Sequence, residues 1–103
     1  MNYTNTAAHV FKMSEQTNRT VFSIISEVMA DYPKEEIDKM AAVMTDGEIT
    51  VITLKFADAA YAYNQQSETA RKDKDYERQA MLVDSCIEMN RRAALWSMAV
   101  GGK

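Results

Sequence analysis

The chain has 103 residues, 47% of them apolar, with a net charge of −3 and a single cysteine. That length makes room for one domain, read here as 1–103, and the apolar content is too high for a disordered chain. The weak charge excludes a generally basic nucleic-acid binder and an acidic mimic of DNA, and one cysteine, Cys86, excludes an internal disulfide or an all-cysteine zinc site.

The first element spans 1–32. From about Tyr3 onward, Ala7, Phe11, Val21, Ile25, Val28 and Tyr32 fall on one helical line, with Ser14 and Asn18 on the same line in the middle. The polar run Ser14 to Thr20 interrupts the apolar pattern for two turns. It predicts either a kinked single helix, the form we favour, or two helices meeting near Thr17-Asn18, residue types that favour helix starts.

Asp31-Tyr32-Pro33 stops that element, because proline disfavours helical geometry in the residue before it and suits the first turn of the next helix. A short amphipathic helix over 33–45 follows. Glu35 and Glu36 lie where the helix dipole favours carboxylates, and Ile37, Met40, Ala41 and Met44 stand at i, i+3, i+4 and i+7. Thr45-Asp46-Gly47 ends it, and Thr45 with Glu48 has the form of a capping box.

Between Glu48 and Val100 there is no glycine and no proline; Gly47 bounds the stretch on one side and Gly101-Gly102 on the other. One unbroken helix of that length would run roughly 80 Å at about 1.5 Å per residue, so the spacing predicts a long antiparallel helical hairpin over 48–100. The segment 49–56 is locally ambiguous. Five β-branched residues in a row favour a strand, possible only by pairing with its copy across a dimer, whereas Ile49, Ile52, Phe56, Ala59/Ala60 and Tyr63 continue a helical spacing. Helix is the expectation. The first arm should fade over Glu68 to Asp75, which holds no large apolar residue, and Asp73 or Asp75 can cap the last helix.

That last helix carries two apolar lines. One runs Tyr76, Ala80, Val83, Ile87, Asn90, Ala94; the other runs Leu82, Cys86, Met89, Ala93, Trp96, Val100. A surface helix ordinarily needs one stripe, so a second predicts a central helix or one shared with another chain. The fold expected is therefore all-α, with three to four helices in an oligomeric bundle.

Chemistry-bearing motifs are sparse. His9 is the only histidine, and its helical neighbours Asn5 and Met13 offer no metal pair. Asp58, Glu68, Glu77, Asp84 and Glu88 are the carboxylates a hairpin could gather around a metal, but they lack dense ExxE-type pairing and read as a solvated face. Cys86, beside Val83, Ile87 and Met89, reads as a small buried hydrophobe. No cofactor is expected.

Three functional readings result. The first is a non-enzymatic protein-binding module: an adaptor, an accessory subunit or a small inhibitor of a larger machine, the last also suiting a phage or mobile-element protein of this size. Its partner surface would use Met40, Met44, Tyr61, Tyr63, Trp96 and Met98, since thioethers and aromatic rings suit surfaces that repack around partners. The partners would be a second copy and another protein. Nucleic-acid binding through Arg71, Lys72, Lys74, Arg78, Arg91 and Arg92 is the second reading, although acids interleaved from Glu68 to Glu77 cancel much of the field within a Debye length. The third is a small-ligand or nucleotide-handling bundle using Tyr61, Tyr63, Asp84 and Glu88. Without a membrane span or a signal-like apolar run, the chain reads as cytoplasmic.

Overall fold

The computed structural model describes residues 5–100, which form five helices and no strand. They are α1 (Ala7–Thr17), α2 (Val21–Val28), α3 (Lys34–Ala41), α4 (Asp46–Lys72) and α5 (Tyr76–Ser97). The all-helical class and the long C-terminal hairpin agree with the sequence reading, and 49–56 lies within α4. The helix count does not agree. Tyr3, Gly101 and Gly102 lie outside the described residues.

The extra helix comes from the N-terminal element, which is two helices rather than one with a kink. Asn18 takes a left-handed conformation with φ 55°, and Thr20 then starts α2 from an extended backbone, its side chain accepting from the Ser23 N–H at 3.0 Å. The Ser14 hydroxyl donates to the Arg19 carbonyl at 2.5 Å, fixing the turn. Asparagine tolerates the left-handed region and threonine is a good N-cap, so the break is chemically local. The polar run Ser14 to Thr20 lies over this break, and of the two forms it allowed the chain takes the pair of helices meeting near Thr17-Asn18.

The other boundaries follow their capping chemistry. Pro33 precedes α3, and its carbonyl accepts from the Glu36 and Ile37 N–H groups. Thr45 and Glu48 close a reciprocal capping box, with Thr45 accepting at 3.0 Å and Glu48 at 2.9 Å. Gly47 therefore lies inside the first turn of α4 rather than before it. At the far end α4 stops at Lys72, within the stretch Glu68 to Asp75 where its fading was expected. Lys74 then turns the chain with φ 59°, and Asp75 caps α5 by accepting from Arg78 N–H at 3.2 Å.

The core sits at one end of the molecule. Ile24, Ile25, Ile37, Met40, Ile49, Ile52, Phe56 and Trp96 are fully buried where α2 packs on α4, α3 on α5, and α1 on α2 and α3. We call this the head. Beyond Phe56 the two long helices run on as an arm, which buries only Ala60, Ser67 and Ala70 of α4. The shape follows: the extents are 48 × 28 × 22 Å and the radius of gyration is 15.4 Å, against about 13 Å for a compact chain of this size.

Candidate functional site: the uncovered face of the hairpin

The two apolar lines of α5 have different fates. Ala93 and Trp96 of the second line are buried, while Leu82, Cys86 and Met89 are half-buried along α4. The first line is left bare. Tyr76 is 63% exposed, Ile87 62% and Val83 38%, and Ala80, Asn90 and Ala94 are exposed as well. A third of a turn separates the lines, so one neighbouring helix, α4, covers one of them only.

Between this bare line and α4 runs an open groove of about 380 Å³, lined by Ala57, Ala60, Tyr61, Asn64, Cys86 and Asn90. Its walls carry no formal charge. Tyr61 stands at the rim, 66% exposed. The Asn90 amide donates to the Cys86 sulfur at 3.8 Å, so Cys86 is a half-buried groove residue and not the buried hydrophobe expected.

Charged side chains tie the hairpin to the head. The Lys55 ammonium donates to both the carbonyl and the hydroxyl of Ser26, on α2. Arg92 donates to the Met29 carbonyl at 3.1 Å, satisfying the left-handed C-terminus of α2. Arg91 bridges Asp31 at 2.7 Å and Glu88 at 2.5 Å, and Glu88 also receives Arg92 at 3.1 Å. Hydrogen bonding from Arg91 first, and then from Arg92, holds the Glu88 carboxyl down at about 2. Hydrogen bonds to Glu88 and Asp31 raise the Arg91 guanidinium further. Ala57, which lines the groove, stands about 200° around α4 from Lys55, so head and groove take opposite sides of the hairpin.

The residues picked out from sequence divide sharply. Met40, Met44 and Trp96 are core side chains, not surface: Met40 and Trp96 are 0% and 1% exposed, and Trp96 meets Tyr32 edge to face with centroids 6.5 Å apart. Burial also raises the Tyr32 phenol. These side chains close the head instead. Tyr63 is half-buried, Tyr61 borders the groove, and Met98 is exposed beyond the end of α5.

The six cations do not form one patch. Arg71 pairs with Glu68 at 2.7 Å, while Arg91 and Arg92 are held by the head contacts. Lys72, Lys74 and Arg78 sit at the hairpin tip, about 20 Å along α5 from Arg91. Nor do Tyr61, Tyr63, Asp84 and Glu88 converge, since Tyr61 lies on the groove side and Glu88 on the head side. Among the described residues no group of three His, Cys, Asp or Glu is placed to hold a metal. His9 is half-buried on α1, its backbone N–H donated to the Thr6 hydroxyl at 3.2 Å. No helix of the described residues is long and apolar enough to cross a membrane.

Choosing by residue type passed over Val83, Ile87 and Asn90; the 4-3-4-3-4 spacing of their line was the signal that finds them. Compared with protein-family models, with curated proteins and with solved structures, the chain matches none.

Proposed function

We propose that this protein is a non-enzymatic protein-binding module, an adaptor, accessory subunit or small inhibitor, that acts through the uncovered face of its helical hairpin. One observation carries the reading: an uncharged apolar line at helical spacing is left exposed along α5, beside an uncharged groove. Large contiguous apolar patches are uncommon on monomers and mark sites of association. Tyr61 at the rim adds a broad ring with a polar end, a residue type enriched at interface centres. The head holds the hairpin from the opposite side and leaves the face accessible.

The test is a tagged pull-down from the source organism's lysate, run with and without nuclease, with wild type beside Tyr61→Ala and Ile87→Glu. The reading predicts a stoichiometric protein that survives nuclease and is lost with both variants. Capture that is indifferent to both substitutions, or abolished by nuclease, would sink it.

A further inference from the structure

We infer that the occupant of the bare α5 line is a second copy of the same chain, docked antiparallel so that two hairpins make a four-helix bundle. The inference rests on the reading of this face as a docking surface and names what fills it.

Spacing identifies the occupant as a helix. Tyr76, Ala80, Val83, Ile87, Asn90 and Ala94 recur at 4-3-4-3-4, the seam pattern by which one helix packs its side chains into the holes of another. No helix of the described protomer covers this seam.

Size and charge identify the helix as α5 itself, reversed. With a two-fold axis at position 85, Val83 faces the partner's Ile87, Ala80 faces the partner's Asn90 and Tyr76 faces the partner's Ala94. Each larger side chain at one end thus meets a smaller one, and the two middle-sized residues meet near the axis. In a parallel pair Tyr76 would meet its own copy and Ala94 its own, leaving one crowded layer and one empty one. The flanking charges agree. Glu77, Asp84 and Arg91 follow the seam on its solvent side, and reversal brings Glu77 beside the partner's Arg91 at both ends. Only Asp84 meets its own kind. A parallel pair would put each of them on the opposite edge of the seam from its copy, beside an uncharged residue such as Gln79 or Cys86, and no Glu77–Arg91 pair would form.

The area suffices, narrowly. The seam from Tyr76 to Ala94 is about 27 Å long, and a hairpin two helices wide offers about 20 Å across, or about 540 Å² per copy. Two copies would bury about 1,100 Å², near the lower bound of about 1,000 Å² for a specific interface, so a dimer that dissociates at micromolar concentration is expected.

Sedimentation equilibrium of the full chain tests this, with oxidative cross-linking to fix the direction. Wild type should dimerise in the micromolar range. Val83→Glu with Ile87→Glu should weaken association by at least about tenfold, with helical circular dichroism retained because both side chains are exposed in the protomer. Asp84→Asn should tighten it a few-fold by removing the like-charge pair. In a Cys86→Ala background, Ala80→Cys with Asn90→Cys should cross-link into dimers, and Ala80→Cys alone should not. A wild type monomeric at about 100 μM, a dimer indifferent to the double glutamate variant, or efficient cross-linking by Ala80→Cys alone would each overturn the inference. If the chain is monomeric but the glutamate variant loses a captured protein, the second copy is wrong and the docking face stands. If that variant loses nothing, both fall.

Discussion

The head and the arm are built from the same helices and held by different means. In the head, α4 and α5 present Ile49, Ile52, Phe56 and Trp96 to three short helices, and the large side chains are closed on every side. In the arm the same two helices meet across Ala60, Ser67 and Ala70, and the larger residues Tyr76, Val83 and Ile87 face solvent. A helical pair has one shared seam, so small residues bring it close and leave little apolar area buried. Buried apolar area is therefore concentrated in the head. The head anchors the hairpin through Lys55, Arg91 and Arg92, while the arm leaves the apolar line of α5 exposed.

The comparison breaks most visibly at Trp96. Trp96→Ala opens a cavity beneath Tyr32 and should cost about 3–5 kcal/mol, a large share of the stability of a domain this size. Urea denaturation should show the loss, whereas Ile87→Ala, measured at low concentration, should stay within about 0.5 kcal/mol. Equal costs would erase the distinction between head and arm.

Thr45→Ala removes the cap of α4 inside the head and should cost about 1 kcal/mol by the same measurement. At the opposite end, Lys74→Gly relieves a left-handed lysine and should stabilise the turn by about 0.5–1 kcal/mol. Because the turn lies in the arm, the gain should show as slower amide exchange around the tip before it shows in global unfolding.

Glu88 gives the smallest effect. Its folded carboxyl lies at about 2, below the 4.5 of an unperturbed glutamate, so its contribution is fully present above about 4.5 and is lost as pH falls toward 2. The side chain is 36% exposed, so solvent screening keeps that contribution under about 1 kcal/mol. Wild type and Glu88→Gln should differ slightly in Tm at pH 7 and converge near pH 2; a gap that widens in acid would refute the assignment.

Legibility in the sequence followed the same division. Pro33, the Thr45–Glu48 box and the breaker-free run after Gly47 are local signals, and each marks a real boundary or a real hairpin. Helical spacing overrode strand propensity correctly at 49–56, because no strand was available to pair. The break at Asn18 was harder, since the polar run Ser14 to Thr20 fits the wet middle of one kinked helix as well as the junction of two. The candidate surface was the least legible. Methionine and tryptophan serve cores and interfaces alike, and only the tertiary packing assigns Met40, Met44 and Trp96 to the core. The doubled stripe of α5 was visible, but which stripe would remain bare depended on where α4 lies.

The proposed docking of a second chain on the arm, and not on the head, is open to a single measurement. Amide hydrogen exchange at about 1 μM and about 100 μM addresses it directly, since association protects only the amides it orders. Exchange across 76–94 should slow with concentration while α1–α3 keep their rates. Exchange in the arm that is the same at both concentrations would contradict it.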